Sequence, residues 1–131
     1  MNAIREQLRS MLKVEDTPEG FRATLTVNPD LSIFPDHFRE TPLLPGVCMV
    51  QAVLLAAAES LGVAELRLSA LKSAKMVQPI FPGEQIVIDG DIARGAADEF
   101  LIKARLNGPD RKRADFSLVT RSIAPDRETP T

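Results

Sequence analysis

The stretch VCMVQAVLLAAAESL, residues 47 to 61, is apolar on nearly every face. Pro45-Gly46 precedes it and Gly62 follows, which are start and stop signals of a helix. A helix without a broad polar stripe cannot lie on a surface, so the rest of the chain has to wrap it. The material for the wrapping comes mostly afterwards. ALKSAKMVQPI, QIVIDGDIA, EFLIKARL and RADFSLVTRSI are four strand-like runs, separated by Pro82-Gly83, Gly95 and Asn107-Gly108-Pro109. One strand precedes the helix, because Phe21, Ala23, Leu25 and Val27 alternate with Arg22, Thr24 and Thr26, giving one dry and one wet face. One strand, one buried helix and four further strands on short loops predict an α+β fold, with an antiparallel sheet curled around a central helix.

At 131 residues the chain is one domain. Ile4, Leu8, Met11 and Leu12 fall at helical spacing and predict an N-terminal helix over about 2–13, ended near Thr17-Pro18-Glu19-Gly20. The tail from 124 to 131, with two prolines and no apolar pattern, reads as loose. A net charge of -2 gives no general attraction to nucleic acid, and Arg111, Lys112 and Arg113 read as a solvated turn or strand end. Cys48 is the single cysteine, so no internal disulfide can form and nothing argues for an oxidising compartment. Arg5 and Glu6 stand where a secretion signal would have its apolar core, and no apolar run reaches membrane-spanning length. A cytoplasmic protein without membrane contact is the expectation. One histidine and one cysteine cannot build a usual zinc site, and the glycines occur singly, so neither a metal nor a dinucleotide cofactor is expected.

The one histidine, His37, lies in FPDHFRETPLLPGV, residues 34 to 47, at the head of the apolar helix. The wider stretch DHFRETPLLPGVCMVQA resembles the active-site segment of the beta-hydroxyacyl-(acyl carrier protein) dehydratases, and VQPIFPGEQI at 77 to 86 resembles their Pro-x-x-Pro-Gly-Asp turn. The resemblance covers roughly residues 21 to 93. It implies the hot-dog fold, a homodimer or higher oligomer that joins two sheets edge to edge, and active sites where the subunits meet. It also implies a 3-hydroxyacyl or enoyl thioester substrate on acyl carrier protein or coenzyme A, in fatty-acid or polyketide-type metabolism. The pattern differs in the loop, where Asp36, Arg39 and Glu40 replace the family's glycine before the histidine and its Pro-Gly after His-Phe. It differs again five residues after Gly46, where the family has an acid and this chain has Gln51.

Dehydration needs a base for the C2 proton, stabilisation of the charge growing on the thioester oxygen, and a proton for the departing hydroxyl. By resemblance His37 is the catalytic base, with a reference pKa near neutrality. Gly46 and Val47 offer backbone N–H groups at a helix N-terminus, where unpaired donors and the positive dipole end face an incoming oxygen; the same groups also simply initiate the helix. Gln51 can orient a hydroxyl or water but cannot deliver a proton at neutral pH; a glutamine bonded across a dimer interface fits the position equally. Glu59, two turns further along, lies about 12 Å away by helical rise and is a poor substitute acid. Cys48, in an apolar helix without a second histidine, reads as core packing. Phe38, Val47, Val50, Leu54 and Ala57, with Phe81 as a gate, are the expected substrate lining. Three functions stay open: a dehydratase, a thioesterase using Gln51 to place water, and a catalytically silent acyl-binding subunit.

Overall fold

The computed structural model describes residues 2–36 and 42–123. The elements run α1 (Asn2–Ser10), β1 (Leu12–Asp16), β2 (Gly20–Thr26), α2 (Ile33–Asp36), α3 (Gly46–Leu61), β3 (Glu65–Met76), β4 (Gln85–Arg94), β5 (Glu99–Asn107) and β6 (Lys112–Ile123). All six strands form one antiparallel sheet in the order β1-β2-β4-β5-β6-β3. The expected architecture, a hot-dog arrangement of antiparallel sheet around a helix, is the one observed.

The apolar helix is wrapped as its composition demands. Every residue from Ala52 to Ala58 is buried, and each fully buried leucine or valine contributes about 1.5–3 kcal/mol relative to exposure. The dry face comes from strand alternation: Phe21, Ala23 and Leu25 on β2, Ile86 and Ile88 on β4, Phe100, Ile102, Ala104 and Leu106 on β5, Ala114, Phe116 and Leu118 on β6. Gly90 is paired with Phe21 across the β2–β4 ladder, and the Phe21 ring occupies the space that a Cβ at Gly90 would need. At the far end of α3, Gly62 takes φ +73° and its N–H donates to the carbonyls of Ala58 and Glu59 at 2.9 and 3.2 Å, a left-handed cap that glycine adopts without a side-chain penalty.

The N-terminus departs from the sequence expectation. The helix stops at Ser10, whose hydroxyl donates to the Gln7 carbonyl at 2.7 Å, and Leu12–Asp16 is a strand. Thr17–Gly20 is not a helix end but the turn of a β1–β2 hairpin, closed by reciprocal bonds from Thr17 N to Gly20 O and from Gly20 N to Thr17 O. Leu12 satisfies both the helical spacing with Leu8 and the strand spacing with Val14, so periodicity alone does not separate the two. β3 likewise starts at Glu65, five residues before the apolar run that announced it. The tail from 124 to 131 lies outside the described residues.

β3 is an edge strand exposed over nearly its whole length, with Leu68, Leu71 and Met76 at 41, 49 and 57% exposure. Two register shifts, between Leu68 and Ala70 and between Leu71 and Ser73, interrupt its ladder to β6.

Arg113 is not solvated as its basic neighbours suggested. Its side chain is 6% exposed, and the guanidinium lies against Gly108, where a Cβ would collide with it. Nη1 donates to Glu84 Oε1 at 2.6 Å and to the Pro79 carbonyl at 2.9 Å; Nη2 donates to Glu84 Oε2 at 3.0 Å and to Asp110 Oδ1 at 3.1 Å. Hydrogen bonding from Arg113 holds the Glu84 carboxyl below the usual glutamate range, and that of Asp110 below the usual aspartate range. A depressed carboxylate pKa contributes stability that is fully present above the unfolded value and is lost as the pH falls through the folded one. Arg113→Met, which leaves Glu84 without its partner, should cost about 3 kcal/mol at neutral pH. In thermal melts between about pH 7 and pH 3, the gap between wild type and this variant should narrow on the acid side. An unchanged gap across that range would show that the ion pair does not stabilise the fold.

Candidate active site

The N-terminus of α3 is open. Pro45 is the N-cap and makes no side-chain capping bond, while the N–H groups of Cys48 and Met49 both donate to the Pro45 carbonyl at 3.0 and 3.2 Å. The N–H groups of Gly46 and Val47 have no backbone partner among the described residues, and they carry the positive end of a sixteen-residue helix dipole. Gly46 opens on an apolar cavity of about 320 Å³, with Leu43, Met49, Met76 and Pro79 in its wall. A Cβ at Gly46 would stand 3.0 Å from Met76 Sδ, so glycine keeps this approach to the helix end clear.

Gln51 faces elsewhere. It lines a second cavity, of about 210 Å³, with Leu54, Leu55 and Ala58 of the same helix and Arg5, Arg9 and Leu12 from the N-terminal elements. Five residues on a helix of 3.6 per turn separate Gly46 from Gln51 by about 140° of rotation and about 7.5 Å of rise. Within one chain the two candidate groups therefore open on different cavities. The Gln51 side chain makes no hydrogen bond to another described residue.

His37 and Phe38 lie outside the described residues. The chain on either side is well anchored. On the approach, Leu31 and Phe34 are buried, and Gln7 ties the loop to α1, donating to Ser32 Oγ at 2.7 Å and accepting from Ser32 N at 2.9 Å. On the exit, Leu44 is buried and its N–H donates to the Ile80 carbonyl at 2.8 Å. That bond links the segment before α3 to the Pro79–Gly83 turn, which Arg113 holds from beneath.

The expected lining residues divide. Leu54 lines the Gln51 cavity, whereas Ala57 is fully buried in the core and lines neither cavity. Val47 is 63% exposed and Val50 is half-buried; with Gln51 they sit at i, i+3 and i+4 and form one strip on the N-terminal half of an otherwise buried helix. Phe81, 38% exposed, belongs to a turn in which its N–H donates to Glu84 Oε1 at 2.8 Å, and it lines neither cavity. Glu59 borders the Gln51 cavity at its far end, two turns along. Arg5 and Arg9 are the cavity residues that sequence reasoning missed. Their signal was present, as two arginines four apart on a short helix, but nothing local showed which face turns toward α3. Among the described residues no group of histidine, cysteine and carboxylate side chains could hold a metal ion, and no helix is long and apolar enough to cross a membrane.

The family model described as ApeI dehydratase matches residues 13–111. A 3-hydroxyacyl-(acyl-carrier-protein) dehydratase FabZ from Polynucleobacter asymbioticus is 27% identical over 118 residues, covering 83% of this chain and 79% of the relative. The FabZ dehydratase of a Polaromonas species is 31% identical over 114 residues, covering 79% of each. Among solved structures, the dehydratase heterocomplex ApeI:P from Xenorhabdus doucetiae superposes with a TM-score of 0.69 at 22% identity, covering 83% of this chain and 94% of that one.

Cys48 lines neither cavity. It is fully buried, and burial pushes its thiol pKa up, which disfavours the reactive thiolate. A disulfide reagent such as Ellman's should therefore titrate less than a tenth of the thiol in the native protein over an hour and about one equivalent after denaturation. Rapid native labelling would return Cys48 to the list of candidate nucleophiles.

Proposed function

The chain belongs to the ApeI-like dehydratase family, and on that basis we propose that it interconverts 3-hydroxyacyl and enoyl thioesters carried on acyl carrier protein or coenzyme A. The observation that carries the reading is the uncapped N-terminus of α3, directly after the segment that bears His37. Two N–H donors at the positive end of a helix, without a backbone partner among the described residues, suit the thioester oxygen, on which charge grows as the C2 proton leaves.

His37 takes the C2 proton, the C2–C3 double bond forms and the C3–O bond breaks. The departing hydroxyl then needs one proton to leave as water. Gln51 donates a hydrogen bond to that oxygen but keeps its amide protons, so the proton His37 has just accepted is the one available. One residue serves as base and then as acid, and the overall reaction balances. The thioesterase reading shares the fold and the neutral Gln51, and differs in product.

The active site is shared between two copies of the chain. Gly46 and Gln51 open on different cavities of one protomer, so a substrate that meets both reaches them from different subunits. The strip of Val47, Val50 and Gln51, together with the exposed Leu68, Leu71, Met76 and Val77 at the β3 edge, supports edge-to-edge pairing into a homodimer.

Incubation with 3-hydroxyacyl, enoyl and saturated acyl thioesters, followed by mass detection, should show loss or gain of water. Release of free thiol would replace this reading with the thioesterase, and binding without turnover would replace it with the silent subunit. Gln51→Glu supplies a separate proton donor in an apolar setting that raises its pKa, and should increase dehydration by about 10- to 1000-fold. A soluble variant of unchanged assembly with no gain would show that the C3 hydroxyl does not lie against residue 51. Leu71→Asp places a charge in the paired edge and should shift the protein from dimer to monomer in light scattering at micromolar concentration, with loss of turnover. A wild-type monomer with full activity would overturn the shared site.

A further inference from the structure

The Gln51 cavity has a basic end that dehydration itself does not require. Arg5 and Arg9 lie four apart on α1, so both guanidinium stems rise on one face, and both border the cavity. Like charges at that spacing oppose helix formation. Arg9, in the last turn, gains from the helix dipole, but Arg5 does not.

Their charge is poorly compensated. Arg5 Nη1 reaches Glu65 Oε2 at 3.5 Å, and the same oxygen accepts from Arg67 Nε at 3.3 Å, so one carboxylate is divided between two guanidinium groups. Arg5 Nε is buried and has no hydrogen-bond partner. Arg9 is exposed and makes no ion pair with a described residue. Glu59 is the one acid in the cavity wall and forms no bond to either arginine. Between the arginines and Gln51 the wall is aliphatic, including Leu54, Leu55 and Ala58. The contact with Glu65, which follows the C-terminal end of α3, places the Arg5 guanidinium at that end, and the rise from Gln51 to Glu59 is about 12 Å.

We infer that this cavity takes the acyl chain and that Arg5 and Arg9 select chains ending in an anionic group, such as an ω-carboxylate. The inference rests on the dehydratase reading for its orientation, with the reacting carbons at Gln51 and the chain running along α3. A carboxylate at the far end meets donors that are short of acceptors, and an aliphatic stem meets the aliphatic wall. A methyl end would instead leave the buried Arg5 Nε facing hydrocarbon without an acceptor.

The test uses N-acetylcysteamine thioesters, which carry no phosphate, in pairs of equal chain length ending in methyl or in carboxylate. Enoyl pairs report hydration, and saturated pairs report binding by calorimetry without chemistry. The carboxylate-ended member of each pair should be favoured by about 10- to 100-fold, in kcat/KM and in Kd, the range of charge-assisted hydrogen bonds. In Arg9→Gln and Arg5→Gln that ratio should fall toward one. A preference for the methyl-ended chain, or a ratio that neither variant changes, overturns the inference even if hydration is brisk. Binding preference without any hydration leaves the anion site standing and removes the dehydratase reading. Should Arg9→Gln instead weaken only a methyl-ended thioester of phosphopantetheine, the arginines serve the carrier's phosphate, and the acyl-end assignment is wrong.

Discussion

The structure depends on hiding one helix. α3 has a continuous buried run from Ala52 to Ala58 and retains exposure only toward its two ends. No single neighbouring helix could cover a surface apolar all the way round, and a flat sheet would cover one side. A twisted sheet that curls does cover it, and the twist is inherent in strands of L-residues. The chain invests four of its six strands after this helix and two before it, plus α1, whose Ile4 and Leu8 are buried. The same requirement explains why glycine at position 90 gives way to the Phe21 ring: the sheet bends tightly enough that one side chain fills the room of two.

Wrapping the helix also positions its open N-terminal end. Arg113 sits at the start of β6 and grips the Pro79 carbonyl and Glu84 from below. Glu84 in turn accepts from the Phe81 N–H, while Gly83 N donates to the Val27 carbonyl at 2.7 Å. The turn so fixed offers the Ile80 carbonyl to Leu44 N, and Pro45 follows immediately as the N-cap of α3. A buried ion pair of this kind is weak evidence of net stability relative to an apolar substitute. Its geometric consequence is definite, since one guanidinium group ties the Pro79–Glu84 turn and Asp110 to the start of β6, and the turn in turn bonds the segment before α3.

Much of this was legible in the sequence because hydrophobic period is a strong signal when a face is buried. The central helix, β2 and the four later strands all followed from it, and so did Cys48 as a core residue. The failures have a common cause. β1 is a short edge strand whose Leu12 and Val14 are only half-buried, so its alternation is shallow and the helical pattern of Ile4 and Leu8 runs into it. The first half of β3 was missed because its alternation, Leu66 and Leu68 against Glu65, Arg67 and Ser69, is only two apolar residues long and buries Leu66 alone. Arg113 looked like one of three basic residues in a turn; only tertiary pairing with Glu84, 29 positions away, distinguishes it. For the site, motif order pointed to Gly46 and Gln51, but spacing along the chain does not show that a helix turns them to different cavities.

That rotation bears on why an amide can stand at position 51. On a buried face, a carboxylate would have to be neutralised or paired, whereas an amide needs only hydrogen bonds to neutral partners. Gln51 lies on the strip of α3 that a second subunit would cover, in the wall of the cavity that Arg5 and Arg9 also border. An acid there would be pushed toward protonation by burial. The neutral Gln51 and the arginines of the same cavity are therefore mutually consistent: the amide does not compete with an anionic ligand for the guanidinium groups, and in the proposed mechanism proton transfer falls to His37 on a different segment.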